Sequence, residues 1–173
     1  MITESKINDP KGPKNQKVAL VSDRFGDVFA FSLPNLEKSE LILGHTSTWI
    51  TCMTLVRRNE KEFLITGDRA EHVRVSHFPK TCLIESYLVG HTGVITSMCS
   101  GTDSGEVITA SMDGDICLWC FQNGKKLSEL DVKKYLQNDE KSEESTFPIL
   151  VSSCPNLGLL AVLNQSFRES ALI

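Results

Sequence analysis

Apolar and polar residues alternate along most of this chain in short runs, each pair of runs broken by a turn, and this run–turn–run pattern occurs three times. The first copy is Val18-Ala-Leu-Val-Ser-Asp-Arg-Phe-Gly-Asp-Val-Phe-Ala-Phe-Ser-Leu33, with its turn at Phe25-Gly26-Asp27. The second runs from Glu62 to Ser76 and the third from Glu106 to Trp119. Alternation on both sides of a Gly/Asp-rich turn predicts a β-hairpin. Placing Val28, Val73 and Ile116 in register superposes Gly26, Glu71 and Gly114, and sets Arg24 over Arg69 and Met112. The three hairpins are therefore equivalent. Between them, Trp49–Leu55 and Val94–Cys99 read as further strands suited to the inside of a repeat, while Ser39–Leu43 and Ile84–Val89 supply outer ones.

Each predicted inner strand follows a Gly-His pair, in Leu43-Gly44-His45-Thr46 and again in Val89-Gly90-His91-Thr92, a step of 46 residues. Periods of roughly 40–45 residues mark propeller blades. The second unit closes on Ser111-Met-Asp113-Gly-Asp-Ile-Cys-Leu-Trp119. A Gly-His opening and a Trp closing resemble the WD repeat, so the fold expected is all-β: a WD-repeat β-propeller. Closed rings have about four to eight blades, and 173 residues supply an incomplete N-terminal set of about three to four. The chain is thus expected to be part of a longer protein, and folds of this kind bind more often than they catalyse.

The organisation follows from the same pattern. Residues 1–16 are polar and broken by Asp9-Pro10-Lys11-Gly12-Pro13, which predicts a flexible N-terminus with order beginning at Lys17. Residues 17–130 hold the blades. Residues 131–146, almost without apolar positions past Leu136, read as a mobile inter-blade loop, and 147–173 as a truncated part of a further blade.

Composition narrows the class. With 40% hydrophobic residues, 23% charged residues and a net charge of -4, the chain reads as soluble and globular. No apolar run approaches the ~20 residues of a membrane span, and the N-terminus lacks a signal-peptide pattern. The six cysteines sit in strand-like stretches, as reduced buried thiols do inside cells. Cys117 and Cys120 form a Cys-x-x-Cys, but residues three apart on a strand point to opposite faces, which disfavours a shared metal or a disulfide. Mild acidity argues against a whole-surface attraction to nucleic acid.

Among candidate functional residues, His45 and His91 belong to the Gly-His pairs and read as structural. In the second full blade His91, Asp113 and Trp119, with either Thr109 or Ser111, form the expected buried hydrogen-bond set. In the first full blade Ala70 and Ser76 stand at the Asp and Trp positions, so that set is broken. His72 and His77 have no carboxylate at an evident spacing. There is no phosphate loop, nucleophile elbow or zinc-protease motif, which predicts no enzyme activity and no cofactor or metal site in this chain. Arg57 and Arg58 read as loop charges. Arg74 shares its strand face with His72 and Ser76 and is placed to meet a partner's carboxylates.

The run Asp68-Arg-Ala-Glu-His-Val-Arg-Val-Ser76, followed by Ile84-Glu-Ser-Tyr-Leu-Val-Gly-His91, resembles the non-catalytic WD-repeat subunit of the tRNA (guanine-N7)-methyltransferase. The opening Ser22–Phe31 hairpin is similar to that family's first hairpin, so the resemblance covers about residues 17–130. It implies a nuclear heterodimer in which the propeller stabilises a separate catalytic subunit that forms N7-methylguanosine in the tRNA variable loop. S-adenosylmethionine would bind that partner, and tRNA would be met through the complex. Arg74 falls where the family's basic residue meets acidic residues of the catalytic subunit. Arg69, Glu71 and His72 complete the implied partner-binding run, in which Ala70 replaces the usual Asp. The competing expectation is a generic WD adaptor of a ubiquitin ligase or chromatin-assembly complex.

Overall fold

A computed structural model describes residues 2–4, 17–44, 48–132, 134, 145–154 and 159–167. The three predicted hairpins are present as the middle strands of three four-stranded antiparallel sheets. Blade 1 is β1 (Ile2–Glu4), β2 (Lys17–Ser22), β3 (Val28–Ser32) and β4 (Glu37–Leu43). Blade 2 is β5 (Ile50–Arg58), β6 (Lys61–Asp68), β7 (Val73–Phe78) and β8 (Ile84–Leu88). Blade 3 is β9 (Ile95–Ser100), β10 (Glu106–Ser111), β11 (Asp115–Cys120) and β12 (Lys125–Asp131). A two-stranded sheet, β13 (Ser145–Cys154) with β14 (Leu159–Phe167), begins blade 4. This is an incomplete β-propeller.

First strands line the axis and are stitched by side chains. The Thr51 hydroxyl donates to the Ile95 carbonyl, and Thr96 Oγ1 donates to the Pro148 carbonyl at 2.6 Å. Period-two alternation then gives every sheet two apolar faces, and the core lies in the seams between blades. Leu20, Val28, Ile50, Leu64 and Phe78 fill the seam of blades 1 and 2. Phe63, Val73, Ile95, Trp119 and Phe121 fill that of blades 2 and 3, while Ile108, Ile116 and Val151 fill the next. Full burial of one such side chain is worth about 1.5–3 kcal/mol. The outer strands β4, β8 and β12 all carry a register shift against their neighbours, a bulge that twists an exposed edge away from further pairing.

Three expectations need correction. Ile2–Glu4 pairs with Lys17–Ala19, so ordered structure precedes Lys17; this strand gives blade 1 the same four-strand set as its neighbours. Arg57 and Arg58 are not loop residues but end β5, facing Glu62 and Lys61 across the hairpin. The turn there is Asn59-Glu60, both left-handed at φ 48° and 63°, as a two-residue hairpin turn requires, and without the Gly that signals one in a sequence. β13 begins at Ser145, two residues before the expected Phe147. His45, residues 5–16 and most of 133–144 lie outside the described residues.

Candidate partner-binding site and the inter-blade network

The network expected in blade 3 forms around His91. Its Nδ1 donates to Asp113 Oδ2 at 3.0 Å, its Nε2 accepts from Thr109 Oγ1 at 2.8 Å, and Trp119 Nε1 donates to the same hydroxyl at 2.7 Å. Thr109 therefore takes the place that the sequence left open between Thr109 and Ser111. Ser111 instead accepts the Asp113 amide at 3.2 Å and shapes the turn. A neutral imidazole with its proton on Nδ1 satisfies all four groups, so a buried polar cluster is fully paired. Burial alone would raise the Asp113 carboxyl. Bonds from the Thr92 and Asp115 amides and from His91 outweigh it and hold the pKa below the ordinary carboxylate value. The Gly of the Gly-His pair has a packing role here: a Cβ on Gly90 would sit 3.2 Å from Trp119 Cη2.

Blade 2 lacks this set and builds its turn differently. Asp68, at the position of Ser111, accepts the Ala70 and His72 amides through Oδ1 at 2.8 and 2.9 Å, and the Thr48 hydroxyl through Oδ2 at 2.9 Å. It does the work expected of an Asp at residue 70. Thr66, equivalent to Thr109, is buried with a hydroxyl that has no hydrogen-bond partner among the described residues, and Ser76 stands where Trp119 stands one blade on. Arg74, at the place of Cys117, turns to the residue that stands where the indole does in blade 3. Its Nε donates to Ser76 Oγ at 3.0 Å and its Nη2 to the Thr81 carbonyl at 2.9 Å, while the Thr81 hydroxyl donates to the Ile42 carbonyl of blade 1. The guanidinium is half-buried and held only by neutral acceptors among the described residues.

The turn beside it carries the other three candidates. Arg69 stands 5.2 Å over the ring of Trp49, itself 53% exposed. Glu71 is exposed and left-handed at φ 70°, at the place held by Gly26 (86°) and Gly114 (102°) in the other blades. His72 does have a carboxylate within reach, Asp68 Oδ2 at 3.4 Å, and His77 has Glu85 at 2.7 Å, contrary to expectation; the turn folds Asp68 back onto His72, and the pairing of β7 with β8 brings Glu85 to His77. Glu71 and His72 line a cavity of about 120 Å³ with Tyr87 and the exposed Val89. Arg69, Glu71 and His72 thus cluster on one turn, with Arg74 on the adjoining strand. Trp49, Thr81 and Ile42 escaped the sequence reading. The Thr81–Ile42 contact spans 39 residues and leaves no local signal.

Residues 34–163 match the family model of the tRNA methyltransferase TRM82 WD40 domain. The chain belongs to this family. Among curated relatives, the tRNA (guanine-N(7)-)-methyltransferase non-catalytic subunit TRM82 of Saccharomyces cerevisiae (strain RM11-1a) is 32% identical over 136 residues, covering 73% of this chain and 30% of the relative. The subunit of the same name from Eremothecium gossypii is 36% identical over 116 residues, 65% of this chain and 26% of the relative. The chain therefore spans about three tenths of the length of these relatives. In fold alone it is similar to the computationally designed Ika8 protein, with a TM-score of 0.53 at 17% identity, over 83% of this chain and 38% of that one.

Proposed function

We propose that this chain acts as part of a non-catalytic scaffold subunit, which binds and stabilises the catalytic subunit of a tRNA (guanine-N7)-methyltransferase. On this reading the two form a heterodimer in the nucleus, S-adenosylmethionine sits on the catalytic subunit, and tRNA is engaged through the complex. The chain itself transfers no methyl group.

One observation carries the reading beyond family membership. Arg74 is a half-buried cation whose donors reach only a hydroxyl and a carbonyl among the described residues, so its charge is positioned without a carboxylate among them. Two fixed acceptors hold the guanidinium in one orientation before a partner arrives, which lowers the entropic cost of contact. A partner carboxylate would complete a charge-assisted, bidentate bond there. The strained, exposed Glu71 offers the opposite charge for a basic group nearby.

The test is co-expression with the tagged catalytic subunit. The chain should co-purify with it, and a folded Arg74→Glu chain should be lost from the complex. Equal retention of that variant would remove Arg74 as the anchor, and no retention of the unaltered chain would overturn the scaffold reading.

A further inference from the structure

The outer strands of blades 2 and 3 share one register and carry opposite chemistry. Arg74 pairs with Tyr87 and Ser76 with Ile84, while one blade on Cys117 pairs with Glu129 and Trp119 with Lys126, and both pairings shift at the same bulge. Ile84, Tyr87 and, just past β8, Val89 therefore stand at the places of Lys126, Glu129 and Asp131. The rim of blade 3 is charged and self-paired: Lys126 meets Glu129 at 3.0 Å and Lys134 meets Asp131 at 3.4 Å. Blade 2 reverses that order. Ile84, Tyr87 and Val89 are 45%, 48% and 77% exposed, and the cation, Arg74, is half-buried inboard of them. Blade 2 has a packed blade on either side, so this surface is not an end face of the set. The strand is also fixed: Ser86 donates to the Phe121 carbonyl, Glu85 pairs with His77 at 2.7 Å, and a Cβ on Gly124 would meet the Tyr87 carbonyl oxygen at 2.7 Å. An exposed apolar strip rimmed by polar groups marks an interaction site.

We propose that the outer rim of blade 2, with Ile84, Tyr87 and Val89 around Arg74, receives a segment of the catalytic subunit in which a carboxylate is flanked by apolar side chains. The inference rests on the scaffold reading above and adds the chemistry of the segment. Charge complementarity selects the occupant. The Arg74 guanidinium has no carboxylate among the described residues, and one brought to it through an apolar surround is shielded from water, which strengthens the ion pair. Apolar side chains beside that carboxylate then cover Ile84 and Tyr87, the latter an anchor with few rotamers to lose. A phosphate backbone fits less well: Glu71 lines the cavity beside Val89, Glu85 lies on the same strand, and the net charge is -4.

Calorimetric titration of the catalytic subunit into this chain, at several temperatures and salt concentrations, tests this. Tyr87→Ser and Ile84→Ser are each expected to raise the Kd about tenfold and to make the heat-capacity change of binding less negative, with the salt dependence kept. Arg74→Glu should lose that salt dependence. Leu127→Ser, which removes a comparably exposed side chain (46%) from the outer strand of blade 3, should change nothing. In the unaltered chain the amides of residues 84–89 are expected to exchange more slowly once the subunit is bound, a readout that needs no variant. Failure of the unaltered chain to bind overturns the scaffold reading and this inference with it. Binding that Arg74→Glu weakens and both serine variants leave unchanged overturns the inference alone, as does unslowed exchange at 84–89. Serine variants that hold the subunit and instead lose binding of the chain to tRNA would assign the rim to RNA, and so overturn it too.

Discussion

Glu71 and Gly114 hold the same place in consecutive turns, and both are left-handed, at φ 70° and 102°. Glycine takes this conformation without strain, whereas a residue with a Cβ loses about 1 kcal/mol. Glu71→Gly should therefore raise stability in urea by roughly 0.5–1 kcal/mol, after the entropy of the freer unfolded chain is counted, while weakening the catalytic-subunit contact. A lower urea midpoint would show that the Glu71 side chain serves the fold instead.

Thr66 and Thr109 are equivalent in place and opposite in circumstance. Thr109→Val leaves His91 Nε2 and Trp119 Nε1 buried without partners and should cost about 2–3 kcal/mol. Thr66→Val removes a hydroxyl that has no partner among the described residues and should be neutral or stabilising by about 1 kcal/mol. Denaturant midpoints of the two variants compare them directly. Equal losses would mean that the seam of blades 1 and 2 uses Thr66 as blade 3 uses Thr109.

Acid should weaken blade 3 through Asp113. Its folded pKa lies below the ordinary value of 3.8, so the stabilisation is present above that value and is lost as pH falls through the lower, folded pKa. The stability gap between the unaltered chain and Asp113→Asn should accordingly be wide near neutral pH and close below about 3.8. A gap independent of pH would place the role of Asp113 in shape, not charge.

The thiols should divide by burial. Cys82 and Cys154 are exposed, while burial pushes Cys52 and Cys117 up to about 12. An aromatic disulfide reagent at neutral pH is expected to modify Cys82 and Cys154 in the native chain and to reach Cys52 and Cys117 only on unfolding. Native labelling of Cys117 at the rate of Cys82 would mean that the seam between blades 2 and 3 opens.

The fold was legible because each blade repeats its own pattern: the alternation around Gly26, Glu71 and Gly114 predicted three hairpins, and all three turns share one left-handed position. The His91 set was legible for the same reason. What the sequence hid were contacts made by pairing across strands or seams. Nothing in the linear spacing of His77 and Glu85, or of Arg74 and Thr81, says that an intervening turn brings them together. The Asn59-Glu60 turn was hidden because two residues without glycine adopt a glycine-like conformation. The Arg74 strand face was read from period two, and its bond to Ser76 shares that face. That the side chain also reaches the Thr81 carbonyl required the structure.

The most direct measurement is calorimetric titration of the isolated catalytic subunit into this chain and into Arg74→Glu, with far-UV circular dichroism showing both folded. Saturable one-to-one binding by the unaltered chain is expected, weakened by about 2 kcal/mol or more, roughly thirtyfold, in the variant. Absence of binding to the unaltered chain would contradict the scaffold assignment, and identical affinities would contradict the role given to Arg74.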